Sequence, residues 1–85
     1  MNNNIEDLKK KIIYRSNYRG TKEMDLLMSS FTKKYIDSFN KTELKYLSDL
    51  LELDDESLIK INKGFELPNR VKSNNVIQLF IDFNN

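Results

Sequence analysis

The segment TKEMDLLMSSFTKKYIDS, residues 21–38, has the clearest structural pattern in the sequence. Apolar and aromatic side chains recur at the spacing of one helical face, and charged side chains fall off that face. The apolar positions are Met24, Leu27, Met28, Phe31 and Tyr35. We therefore predict an amphipathic helix here. Its methionine and aromatic stripe is better explained as a core face than as a cofactor pocket.

A helix is also predicted before this segment, from about Ile5 to Ser16. Ile5, Leu8 and Ile12 have the i, i+3, i+7 spacing of one helical face. Residues 17–20, NYRG, interrupt it, because Asn and Gly favour turns and left-handed backbone. We expect residues 1–4 to be disordered.

Two shorter helices are predicted after the central one. Asn40 and Glu43 have the spacing of a capping box, and Asp55 is a good N-cap for the helix that Gly64 ends. The apolar residues of the two helices are Leu44, Leu47, Leu50 and Leu51, then Leu58, Ile59 and Ile61.

The last apolar run, VIQLFIDF at residues 76–83, follows a break at Pro68 and fits either helical or strand spacing. A lone strand would leave its backbone groups unpaired, so a helix is favoured. The sequence therefore predicts an all-α fold, a compact single-domain bundle of five short helices over residues 1–85.

Composition excludes several classes of chemistry. The 85 residues contain no cysteine and no histidine, so disulfides, zinc clusters, thiol chemistry and imidazole catalysis are excluded. A formal net charge of +1 argues against a nucleic-acid-binding protein. We expect no enzyme activity, no bound metal and no cofactor held stably by this chain.

Local charge and aromatic patterns have simple structural explanations. Lys9, Lys10 and Lys11 form a solvated helix face, and the acidic run 54–56 lacks the ligand spacing of a calcium loop. The four tyrosines are scattered and form no platform for stacking bases; they are Tyr14, Tyr18, Tyr35 and Tyr46.

Neither a membrane segment nor a targeting segment is evident in the sequence. No apolar run approaches the roughly 20 residues that span a bilayer, so no membrane insertion is expected. The start, MNNN, is neither a signal peptide nor an Arg-rich mitochondrial presequence. We expect a bacterial cytoplasmic protein that is a monomer.

Residues 14–25, YRSNYRGTKEMD, concentrate charge around one of the two glycines. One interpretation is structural: Gly20 relieves strain between two helices, and Glu23 caps the second helix or pairs with Arg19. The other is functional. Gly20 leaves backbone bare between a guanidinium and a carboxylate, so a partner could approach and form charge-assisted hydrogen bonds.

This segment resembles the signature of the succinate dehydrogenase FAD assembly factors, the SdhE family. The family motif Arg-Gly-x-x-Glu is matched at residues 19–23, RGTKE, followed by MDLL and preceded by YRS. Downstream, LLE at residues 50–52 with Asp54, Asp55 and Leu58 resembles the family's Leu-Leu-Glu-x-x-Asp-x-x-Leu region. The resemblance covers about residues 12–64. Departures fall in the fourth helix, where Ile61 replaces a common tryptophan, and in the C-terminal segment.

The resemblance implies a helper that binds the flavoprotein subunit of succinate dehydrogenase and promotes covalent attachment of FAD to it. The related fumarate reductase flavoprotein is a further candidate client. It also implies roles for motif residues: polar client contacts for Arg19 and Glu23, close approach at Gly20, and support or rim contacts for Arg15 and Asp25. The alternative is a small regulatory or antitoxin-type module that binds another protein.

Overall fold

The computed structural model describes residues 4–69 and 71–83. Within them the chain forms five helices: α1 (Asn4–Asn17), α2 (Lys22–Tyr35), α3 (Lys41–Leu51), α4 (Asp55–Asn62) and α5 (Asn75–Ile81). The described residues contain no strand, so the predicted all-α fold is confirmed. Of the residues expected to be disordered, 1–3 lie outside the described part of the chain, and Asn4 is the first residue of α1.

Side-chain caps define where α2 and α3 begin. The Thr21 hydroxyl accepts a hydrogen bond from the Met24 N–H at 3.2 Å. At α3 the predicted capping box is confirmed: Asn40 Oδ1 accepts from the Glu43 N–H at 2.8 Å, and Glu43 Oε1 accepts from the Asn40 N–H at 2.9 Å. The central helix ends at Tyr35, earlier than predicted, because residues 36–38 close into a turn.

The start of α4 corrects one prediction. Asp54, not Asp55, is the N-cap, and its side chain accepts from the Ser57 N–H at 3.4 Å. An N-cap needs extended backbone, and Asp54 has it with φ −72° and ψ 162°. Asp55 is already helical, so its carboxylate is available for a contact elsewhere.

The predicted end of α4 at Gly64 is confirmed. Gly64 has a φ of +86°, in the left-handed region. The Phe65 N–H bonds to the Lys60 carbonyl, and the Gly64 N–H bonds to the Ile61 carbonyl, each at 2.9 Å. These two bonds are a Schellman motif, which turns the chain sharply away from the helix.

One apolar cluster joins all five helices, with α1 against α2 and α3, and α5 against α3 and α4. The methionine and aromatic stripe of α2 belongs to this core: Met24, Met28 and Phe31 are buried, and the Phe31 ring lies 5.1 Å from that of Phe80. Ile5 and Ile59, which had been assigned to apolar faces, are each 39% exposed. Both therefore contribute little to the core.

The C-terminal segment is helical, as favoured over the strand. Val76, Ile77 and Phe80 are buried on one face of α5. The Asn62 side-chain amide of α4 donates to the carbonyls of Phe80 and Phe83, both at 2.9 Å. This amide fastens the end of α5 to α4.

Candidate partner-binding site

The Arg-Gly-x-x-Glu motif occupies the turn between α1 and α2 and the first turn of α2. Gly20 has a φ of +119°, which side chains with a Cβ rarely adopt. A Cβ built at Gly20 would meet no atom within 4 Å. The space above this glycine is therefore open, and the backbone conformation alone requires glycine.

The Arg19 side chain points into the protein and is only 12% exposed. Its two terminal nitrogens donate to the backbone carbonyls of Leu51 and Leu53, both at 2.6 Å. Nε and one terminal nitrogen also donate to Asp55 Oδ1, at 3.2 and 2.9 Å. Leu51 is the last residue of α3 and Leu53 lies two residues beyond it, where helix geometry leaves acceptors without partners. Arg19 thus joins the motif turn to the α3–α4 connection.

Asp25 holds the same turn from the α2 side. Its Oδ1 accepts a hydrogen bond from the backbone N–H of Arg19 at 2.5 Å. The carboxylate is half-buried. Arg19 is therefore held at both ends. Asp25 accepts a hydrogen bond from its backbone N–H, and the α3–α4 connection accepts hydrogen bonds from its guanidinium.

Glu23 differs from its neighbours because it performs neither structural task that the sequence allowed. The cap of α2 is Thr21, and the carboxylate that pairs with Arg19 belongs to Asp55. Glu23 is exposed and makes no hydrogen bond or ion pair with any residue the structure describes. It presents a free carboxylate beside the open backbone of Gly20.

Arg15 lies on the exposed side of α1, where it forms an ion pair with Glu52. Near it the rings of Tyr14 and Tyr18 are 4.6 Å apart, and the two residues are 65% and 69% exposed. The expectation that the tyrosines are scattered is therefore wrong for this pair. Tyr14 lies in the last turn of α1 and Tyr18 is the first residue after that helix, so the two rings stay about one helical turn apart and meet.

The structure thus gathers the five predicted site residues around one turn, but in different settings. Arg15, Gly20 and Glu23 are exposed, whereas Arg19 and Asp25 are tied into the fold. Sequence reasoning missed Asp55 as the partner of Arg19. The sequence did contain a signal for this pair. Asp54 and Asp55 are adjacent and only one of them can cap α4, so the other carboxylate needs a different partner.

Residues 4–69 and 71–83 contain neither a metal site nor a membrane-spanning helix. No group of three acidic, histidine or cysteine side chains there could hold a metal ion. None of the helices described is long and apolar enough to cross a membrane.

A family model described as the flavinator of succinate dehydrogenase, Sdh5, matches residues 10–84. The chain belongs to the Sdh5 family. The match includes most of α1 and all of α2 to α5, so the resemblance seen in the motif extends over the fold.

Curated relatives of this Sdh5 family chain carry the name succinate dehydrogenase assembly factor 2, mitochondrial. The protein of Candida glabrata is 32% identical over 98% of this chain and 57% of its own length. That of Komagataella phaffii is 35% identical over 88% of this chain and 42% of its own length. The chain therefore spans about half the length of these relatives. No solved structure matches it.

The names of these relatives also correct the expected cellular location of the protein. They are named as mitochondrial proteins of yeasts, which points to mitochondria, so the expectation of a bacterial cytoplasmic protein is wrong. That expectation relied on the first residues of the sequence, whereas the similarity extends over nearly the whole chain. The Sdh5 family is a family of assembly factors, not of catalytic enzymes.

Proposed function

We propose that this protein binds the flavoprotein subunit of succinate dehydrogenase and promotes the covalent attachment of FAD to it. The observation that carries the proposal is Glu23, an exposed carboxylate with no hydrogen bond or ion pair among the described residues, next to a glycine with open space above it. Membership of the family suggests succinate dehydrogenase as the client. The open glycine and the exposed carboxylate suggest the surface on which the client binds.

The five motif-region residues divide into contact and support. Glu23 accepts hydrogen bonds from a basic or amide group of the client, and Gly20 lets the client backbone approach closely. Arg15 forms the rim of the surface with its partner Glu52. The hydrogen bonds of Arg19 and Asp25 favour a supporting role for these two residues, in place of the direct contact expected for Arg19.

A rigid turn favours binding because less conformational freedom is lost when the complex forms. Arg19 and Asp25 hold the turn before any client arrives, so the client meets Glu23 in a fixed position. The resulting surface is preorganised.

The covalent chemistry belongs to the client, because this chain contains no histidine or cysteine. In this proposal a histidine nitrogen of the client would replace a hydrogen on a carbon of the flavin, with loss of a proton, and the flavin ring itself would take up the two electrons released. This protein needs only to hold the client so that the histidine and the flavin meet in reacting geometry. Positioning of that kind can lower a barrier by several kcal/mol.

The test measures flavin attachment to the succinate dehydrogenase flavoprotein in a yeast strain lacking its own assembly factor. Glu23→Ala should reduce in-gel flavin fluorescence of the flavoprotein at least about tenfold, as loss of a central polar contact does. Its free energy of unfolding should fall by no more than about 1 kcal/mol. Glu6→Ala is the matched control, because Glu6 is also an exposed glutamate in the first turn of a helix.

Gly20 provides a second variant pair in the same assay. Gly20→Ala and Gly20→Arg both place a Cβ at a φ of +119°, so both should destabilise the fold by more than about 1 kcal/mol. Only Gly20→Arg also fills the space above the turn, so it should lose more flavin attachment than Gly20→Ala. A folded Glu23→Ala variant that supports normal attachment would contradict the proposal.

A further inference from the structure

A cleft of about 570 Å³ lies between α2 and α4, directly beside the motif. Exposed apolar and charged side chains line it from both sides. They include Leu26 and Glu23 on α2, Ile59 on α4, and Lys63, the residue that caps the end of α4. The cleft therefore continues the surface formed by Gly20 and Glu23.

The apolar walls of the cleft are accessible to solvent. Leu26 is 62% exposed and Ile59 is 39% exposed. Single exposed apolar residues are common on protein surfaces, but these two line one concave site next to the family motif. A partner that covered both would bury apolar area that the folded chain leaves in water.

The charges of the cleft are also unsatisfied. Glu23 and Lys63 are both exposed, and neither has an ion-pair partner among the residues described. Asp55 also lines the cleft, but its carboxylate is already bound by Arg19, and Lys60 of α4 pairs with Glu56. The cleft thus offers one free anion and one free cation beside its apolar side chains.

We propose that this cleft binds a segment of the flavoprotein client with an apolar side chain flanked by a basic and an acidic group. The apolar side chain packs on Leu26 and Ile59, the basic group pairs with Glu23, and the acidic group pairs with Lys63. The inference rests on the proposed function and extends the client surface from the motif turn to α4.

A second groove on the other side of Leu26 is the competing site. It lies between α1 and α2, has a volume of about 590 Å³, and includes Ile13 and Asp37. Asp37 is already paired with Lys9 at 3.5 Å. Lys33 also lines this groove and has no ion-pair partner among the residues described. The groove therefore offers a free cation but no free anion, whereas the cleft between α2 and α4 offers both.

The two sites can be separated by one matched pair of variants. Ile59 and Ile13 are exposed isoleucines on helices, 39% and 44% accessible, and each lines only one of the two sites. Binding of the purified flavoprotein subunit without covalent FAD is measured by isothermal titration calorimetry. We expect Ile59→Ser to raise Kd at least about tenfold, whereas Ile13→Ser changes it by less than about twofold.

Lys63→Gln independently tests the contribution of charge to binding. It should weaken binding and also reduce the dependence of Kd on salt concentration, because one ion pair is lost. Thermal unfolding of each variant checks that the fold is intact, which is expected for three exposed positions.

The outcomes distinguish this inference from the proposed function. If the unmodified protein does not bind the flavoprotein subunit, the proposed function fails. If it binds, but Ile59→Ser binds equally well or Ile13→Ser is the variant that fails, the cleft between α2 and α4 is not the docking site. Selective loss with Ile59→Ser and a reduced salt dependence with Lys63→Gln support the inference.

Discussion

Arg19 bonds to three acceptors that lie within one short stretch, Leu51, Leu53 and Asp55. The flat guanidinium carries several N–H groups in a fixed arrangement, so it can serve all three at once. A lysine has a single nitrogen at the end of its chain and could not reach the same set. Contacts within the fold therefore give a reason for an arginine at the first position of the family motif, in addition to any contact with a client.

Arg19→Ala should lower the free energy of unfolding by about 3 kcal/mol, because it leaves two carbonyls and one partly buried carboxylate without their donor. Denaturant unfolding measures the loss. Arg15→Ala is the control: Arg15 is also an arginine in a carboxylate pair, but it is 46% exposed, and its removal should cost less than about 1 kcal/mol. Equal stability of the two variants would show that the inward contacts of Arg19 do not hold the fold.

At the scale of elements, local signals in the sequence predicted several helix ends. The capping box at Asn40 and the stop at Gly64 depend on residues within five positions of each other, so the sequence alone reveals them. Asp54 and Asp55 are adjacent and chemically alike, which is why the cap was assigned one residue too late. Helical and strand spacing overlap in the C-terminal run, and its helix is stabilised by contacts with α4 that sequence spacing does not show.

The Asn62 amide is one of these contacts, and it gives a test of how α5 is held. Asn62→Ala should lower the free energy of unfolding by about 2 kcal/mol, since the carbonyls of Phe80 and Phe83 each lose a hydrogen bond. Hydrogen exchange of the α5 amides should accelerate more than that of α2 amides. Gln78→Ala on the exposed face of α5 should change stability by no more than about 0.5 kcal/mol. Unchanged exchange in Asn62→Ala would mean that core packing alone fastens α5.

For the whole molecule, the sequence predicted the fold class and most of the core. Periodicity reveals which faces are apolar, and the central stripe of α2 is indeed buried. It does not reveal which surface side chains meet across the bundle. The direction of Arg19 depends on acceptors 32 to 36 residues away, so the division of the motif into contact and support required the structure.

Because the chain has no histidine or cysteine, the proposed function predicts that it carries no covalent flavin itself. After incubation with FAD and the flavoprotein subunit, mass spectrometry should find this chain unmodified and the flavin on the subunit. The isolated protein should not oxidise succinate. The flavoprotein subunit incubated with FAD alone is the control for spontaneous attachment. A flavin mass increment on this chain would overturn the assignment of the chemistry to the client.

The contacts of Arg19 also imply an order of events during folding. α1 and α2 are joined by a short turn and can pair early, because closing a short loop costs little chain entropy. The acceptors of Arg19 become available only after the end of α3 and the start of α4 have formed. In a nascent or partly unfolded chain, the motif turn therefore lacks the hydrogen bonds from Arg19 to the α3–α4 connection. If the protein acts as proposed, partly folded chains should therefore bind the flavoprotein subunit more weakly than the folded protein does.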